Sequence, residues 1–207
     1  LVTTRLSPDR MTDTQLNMLR SHACGVGPDL TVREVRAMMA VTLKSLLQGY
    51  SGVTPALAQR IADMLNRQVT PWSPAGGSVG YLIATAHIGL AVFGEGKCWY
   101  QGELLPAQQA LTRAGIPPYV PGPREGHALV GGTYEITALG CLAVADFQRL
   151  LPVADMAGGM CLEAMRGNTR GYDARLHALR PHPGQQETAQ NLRRLLKGSE
   201  ILARYRD

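Results

Sequence analysis

The stretch Gly76-Gly77-Ser78-Val79-Gly80-Tyr81 runs straight into the apolar segment Leu82-Ile83-Ala84-Thr85-Ala86-His87. A glycine turn that feeds a helix leaves free backbone N–H groups, with the positive end of the helix dipole behind them. Such a place can hold an anion or carry an electrophile; the plainer alternative is a turn and nothing more. His22, in Ser21-His22-Ala23-Cys24-Gly25, stands where Gly25, Gly27 and Pro28 must stop a helix. A lone histidine there is more often a cap or a packed residue than a functional one. His87 lies inside an apolar helix and is expected to be a core histidine with a backbone partner. His177 and His182 have neither the i, i+4 spacing nor the third ligand that a metal needs. Cys24, Cys98, Cys141 and Cys161 form no CxxC pair. Their small apolar neighbours predict buried, unpaired thiols in a reducing, cytoplasmic compartment.

The elements that must position these groups are helices. Thr31 with Glu34 forms a capping box, and Val35, Met38, Met39, Leu43, Leu46 and Leu47 follow at helical spacing to Gln48. Thr54-Pro55 opens a second helix to about Gln68. Residues 70–80 read as a Pro/Gly-rich loop. Leu82 to Phe93 is apolar nearly all round and predicts a helix buried on all sides. Trp99 to Leu105 reads as a short exposed strand or turn, Pro106 to Ala114 as a short helix, and the proline-rich 116–123 as extended loop. Arg124 to Thr133 is a second glycine-bearing junction. A long apolar helix from Tyr134 is expected to break at Pro152 and resume to about Arg166. Asp173 is expected to pair with Arg175 or Arg180, and Glu95 and Glu125 to act as helix-terminus and loop anchors. The last helix is read from about Gln186 to Arg204.

These readings make an all-α protein, a bundle of long helices whose lack of a polar face predicts burial in an oligomer. The 207 residues suffice for one sizeable core, and 45% hydrophobic against 18% charged residues argues against disorder. No run of about 18 apolar residues marks a membrane span. The net charge of +5 is dispersed, without the basic stripe and interleaved aromatics of nucleic-acid binders. A mild positive excess suits an anionic substrate or partner, and a solvated helix face is the plainer reading of it.

Several segments together resemble the aromatic amino-acid ammonia-lyases, and the histidine ammonia-lyases most. They are Ser21 to Gly27, Gly49-Tyr50-Ser51-Gly52, Gly77-Ser78-Val79-Gly80, Ala86-His87, Gly94-Glu95-Gly96, Arg124-Glu125-Gly126, Tyr172 to His177 and Arg180 to Gln185. They fall in the family's order across almost the whole of 1–207. The resemblance implies that 1–207 is one N-terminal and central segment of a helical lyase. That lyase would be a homotetramer with shared active sites, and the catalytic tyrosine loops would lie just outside this segment. It implies elimination of ammonia from an aromatic amino acid to give an α,β-unsaturated acid such as urocanate. By the same resemblance His22 lies in the substrate pocket near the imidazole. Gly80 and Tyr81 flank the cofactor position, and Gly131 and Tyr134 face the same pocket. Tyr81 and Tyr134 are then candidate acid/base or hydrogen-bonding groups.

The family's electrophile is a methylidene-imidazolone (MIO) made from Ala-Ser-Gly, and in the family that tripeptide follows the position of Gly80 directly. Here Tyr81 follows at once, and the count back from His87 is three residues short. Either a modified residue stands there outside the ordinary twenty, or the tripeptide is gone. Three neighbours favour loss: Tyr81 replaces the family's Asp, Gly131 its Asn and Tyr134 its Gln. Without an electrophile, the expected substrate carries a better leaving group, such as the trimethylammonium of a histidine betaine. A non-catalytic paralogue serving as a structural subunit is the other alternative.

Overall fold

The computed structural model describes Ser7 and residues 10–77 and 82–205, in two compact units, 1–142 and 143–207. Gly80 and Tyr81 lie outside the described residues.

In the first unit the helices are α1 (Met11–His22), α2 (Val32–Leu46), α3 (Pro55–Asn66), α4 (Ile83–Val92), α5 (Ala107–Arg113) and α6 (Glu125–Val130). The capping box at Thr31 and Glu34 forms as expected, and α2 buries Val35, Met38, Met39, Thr42 and Leu46 as one stripe. Helix α4 is sunk in the core, with Ala84, Thr85, Ala86, Ile88, Ala91 and Val92 buried, and packs against α1 and α6. Small side chains let those helices approach it closely.

Five short strands qualify the all-α expectation. Strand β1 (Val26–Asp29) pairs antiparallel with β3 (Pro74–Gly76), and β4 (Lys97–Tyr100) pairs with both β2 (Thr70–Pro71) and β5 (Glu103–Pro106). They are two to four residues long and contain four prolines, so no alternating pattern could announce them. The junction 124–133 also holds more structure than expected, because α6 fills its middle.

The second unit continues α7 (Tyr134–Ala164), followed by a 3-10 turn (Arg170–Tyr172), α8 (Ala174–Ala178), α9 (Pro183–Leu195) and α10 (Glu200–Arg204). Two expectations fail here. Pro152 does not break α7. It removes one i→i−4 bond, and both Gln148 and Pro152 are exposed, so the freed carbonyl is open to water. The final helix, in contrast, is interrupted. Gly198 takes φ +84°, and Ser199 then caps α10 by accepting the Leu202 N–H at 3.2 Å. Asp173 pairs with Arg175 at 2.8 Å, which holds the Asp173 carboxyl well below its usual range.

Two further expectations need correction. Cys98 is buried, and burial pushes its thiol up to about 12, but Cys24, Cys141 and Cys161 are exposed. Small neighbours signalled close packing, yet Cys141 and Cys161 sit on a helix that the described residues leave largely uncovered. The stretch Glu125–Ala164 is also long and apolar enough, by length and composition, to cross a membrane. Single charges scattered along it hide that from a search for an unbroken run.

One buried carboxylate ties the first unit together. Glu125 is fully buried at the start of α6. Its Oε1 accepts the Thr54 N–H at 3.1 Å and the Thr54 hydroxyl at 2.7 Å, its Oε2 accepts the Gly122 N–H at 2.7 Å, and the Tyr119 hydroxyl lies 3.0 Å from both oxygens. Thr54 is itself the N-cap of α3, accepting the Leu57 N–H at 3.4 Å. Beside it, Arg60 donates to the carbonyls of Val92 and Pro117 and lies 5.5 Å from the Tyr119 ring centroid. Glu125→Ala strands several buried donors, each costing roughly 1–3 kcal/mol. Urea unfolding should show a loss of at least about 3 kcal/mol; a loss below about 1 kcal/mol would contradict this account of the clamp.

Candidate active site

The candidate site is built where α1 ends, α4 begins and α6 ends. His22 is the last residue of α1. Its Nδ1 lies 2.7 Å from the Met18 carbonyl, one turn back, and 3.0 Å from the Ser21 hydroxyl. A carbonyl can only accept, so Nδ1–H is the donor of that bond, and the other ring nitrogen is Nε2. Among the described residues nothing bonds to that Nε2. The ring is therefore oriented by its own helix, with one nitrogen left over.

The chain then turns through Gly25 into β1. A Cβ at Gly25 would stand 2.6 Å from Pro74 Cγ and 3.0 Å from Ile83 Cγ2, and one at Gly76 would stand 2.7 Å from the Val26 carbonyl oxygen. Glycine at both places lets β1, β3 and the first turn of α4 meet at backbone distance. His87 completes this contact. Its Nε2 accepts the Gly25 N–H at 3.2 Å, and its ring meets Trp72 edge-to-face at 5.6 Å between centroids. Burial lowers its pKa, which keeps the imidazole neutral and able to accept. The expected core histidine with a backbone partner is thus found, and its partner lies in the turn that follows His22. Lys97 Nζ lies 5.5 Å over the Trp72 ring, and the Trp72 N–H donates to the Lys97 carbonyl at 2.9 Å.

Gly77 and Leu82 are each held by the core. Gly77 lies against Gly25 and Val26. Leu82, the N-cap of α4, takes φ +76° and ψ −55°, a costly conformation for a bulky residue. The Thr85 hydroxyl holds it there, sharing its proton between the Leu82 carbonyl at 3.0 Å and the Val130 carbonyl at 3.3 Å. Val130 ends α6, so Gly131 follows directly beside the start of α4. Tyr134 opens α7, its ring folded over Gly132, where a Cβ would stand 2.6 Å from Tyr134 Cζ. Gly132 takes φ +139°.

The structure therefore sets the turn after His22 against Gly77 and Ile83, and the end of α6 against Thr85. It does not join His22, Gly131 and Tyr134 by hydrogen bonds among the described residues. Sequence reasoning missed Trp72 and Thr85, both of which position the site. A threonine in an otherwise apolar helix was the available signal for Thr85. The cavities of about 340 Å3 beside Arg36 and Trp99, and of about 620 Å3 beside Arg193 and Lys197, lie elsewhere. No trio of metal-binding side chains gathers among the described residues. Ala-Ser-Gly occurs nowhere in the chain, so the residues present do not fit an MIO group made from that tripeptide.

The aromatic amino acid lyase family model matches residues 1–207, and the chain belongs to that family. It is 46% identical over 210 residues to the histidine ammonia-lyase of Sorangium cellulosum, covering 100% of this chain and 41% of that relative. The histidine ammonia-lyase of Trypanosoma cruzi superposes with a TM-score of 0.89 at 34% identity, over 98% of this chain and 41% of that one. An ergothioneine-degrading enzyme, ergothionase of Treponema denticola, superposes at 0.90 with 28% identity, over 96% of this chain and 40% of that one. The chain thus spans about two fifths of the length of these relatives.

The His87 geometry has a pH consequence. A histidine held neutral in the fold is protonated more readily once unfolded, so the unfolded state gains protons first as pH falls. The stability that His87 contributes is complete above the unfolded value of about 6.5 and is lost as pH drops below it. Denaturation midpoints from pH 8 to 5 should fall less steeply in His87→Gln than in the wild type, by up to one proton. Parallel curves would show that His87 is not held neutral.

Proposed function

We propose that the protein containing this chain eliminates ammonia, or an amine, from a histidine-like amino acid to give an α,β-unsaturated acid such as urocanate. The observation that carries this reading is the likeness to histidine ammonia-lyase along the whole chain. In the reaction a base takes the proton from Cβ, its electron pair forms the Cα–Cβ double bond, and the Cα–N bond breaks with its pair leaving on nitrogen. His22 suits recognition of the substrate imidazole, because among the described residues nothing bonds to its Nε2, which is left for a ligand. Tyr134 is assigned as a hydrogen-bond donor at the pocket, and Gly131 leaves room beside the start of α4. Tyr81, with Gly80 at the cofactor position, is assigned an acid/base or space-filling role.

The family's MIO group would supply an electrophile that activates the amine for departure. No step is routed through it here, because its precursor tripeptide is not in the chain. The Sorangium alignment runs over 210 residues against 207 in this chain, which agrees in size with the three-residue shortfall after Gly80. That shortfall, with Tyr81, Gly131 and Tyr134 at positions the resemblance assigns to other residues, favours a second reading. In it a histidine betaine loses trimethylamine, a leaving group needing no electrophile, and the work falls to a base and to orientation. A non-catalytic structural subunit is the remaining reading.

We also propose assembly as a homotetramer in a cytoplasmic, thiol-preserving setting, with a small-molecule amino acid as partner and no nucleic acid or membrane. Along α7, Val144, Phe147, Leu150 and Met160 are 60–72% exposed, an apolar face that needs cover. Intact mass and near-ultraviolet absorbance should show neither the tripeptide nor its dehydrated product. Urocanate-type absorbance should then grow faster from the trimethylated betaine than from histidine. Detection of the tripeptide would overturn the cofactor-free reading, and no product from either substrate would leave the structural subunit.

A further inference from the structure

We infer that His87 is a positioning residue for the substrate-side turn: its Nε2 accepts the Gly25 N–H and so fixes residues 22–27, and His22 with them, against α4. The inference rests on reading His22 as a substrate-binding group. His22 and Gly25 are three residues apart, so a shift of the turn moves the end of α1 that carries His22. Within the turn the Cys24 N–H closes on the His22 carbonyl at 2.9 Å, which makes residues 22–24 one stiff piece. The bond from Gly25 to His87 crosses 62 positions of sequence and ties that piece to the core helix.

Ile83 and His87 lie one turn apart on the same face of α4. Both meet Gly25, Ile83 by van der Waals contact and His87 by hydrogen bond. The site's helix start and the His22 turn are therefore held in register by two contacts on one helix face. Trp72 fixes the rotation of the His87 ring by its edge contact, and Trp72 is itself held by its backbone bond to β4. Orientation of a bound substrate tolerates little error, since a displacement of about 1 Å can cost on the order of a hundredfold in rate. The physical role of His87 is to keep that displacement small.

His87→Gln and His87→Leu in the protein carrying this chain test the assignment. Glutamine places an amide oxygen near the position of Nε2, whereas leucine fills space without an acceptor. Histidine elimination should show KM raised about tenfold in His87→Leu, together with faster hydrogen exchange at the Gly25 amide, and both should return towards wild type in His87→Gln. Should the leucine variant not fold, His87→Asn, whose shorter amide does not reach Gly25, takes its place. A purely structural role would lower the melting temperature and active yield without moving KM. An unchanged KM alongside rapid Gly25 exchange, or a glutamine variant as impaired as the leucine one, overturns the proposal. If the wild type eliminates nothing from histidine or from its trimethylated betaine, the lyase reading fails on its own, and urocanate affinity by calorimetry in the same variants decides the positioning role.

Discussion

The fold of the first unit depends on the buried Glu125 carboxylate. A carboxylate without water persists when several donors converge on it, and here the Thr54 backbone and hydroxyl, the Tyr119 phenol and the Gly122 backbone do so. These donors come from three places that secondary structure alone would not bring together: the N-cap of α3, the proline-rich loop and the turn into α6. Because Glu125 is the first residue of α6, anchoring it sets where that six-residue helix ends. The end of α6 then meets Thr85 through the Val130 carbonyl. A polar cluster far from the proposed chemistry thus decides where Gly131 stands.

The same reasoning separates what was legible in the sequence from what was not. Local signals were reliable. The Thr31–Glu34 box, Pro55 at the first turn of α3 and the apolar run of α4 each specify a helix through short-range physics. Signals that need a tertiary partner were weaker. The strands β1 and β3 exist because Gly25 and Gly76 allow two backbones to touch, and a lone glycine says nothing about which backbone approaches it. Pro152 reads as a break by rule, yet its cost falls on a single solvent-facing carbonyl. Gly198-Ser199 reads as ordinary helix composition until the left-handed turn and the cap are seen together.

The site was legible as a place more than as a mechanism. The glycine turn before α4 stands out from the sequence alone, and the count from Gly80 to His87 is three residues short of the pattern that the resemblance implies. His87 was recognised as a satisfied core histidine, but its partner was not predictable, because Gly25 lies 62 residues earlier. The exposure of Cys141 and Cys161 and the uncovered apolar face of α7 share one cause. Both belong to a helix whose composition suits burial that the described residues do not themselves supply.

The strain at Leu82 connects these observations. A bulky residue at φ +76° costs about 1–3 kcal/mol and persists when its surroundings overdetermine it. Here the Thr85 hydroxyl holds its carbonyl from within the helix, and the end of α6 holds Thr85 from without. On the other side, β1 and β3 fix Gly77. Gly77 and Leu82 are therefore two anchors, each set by a separate part of the core.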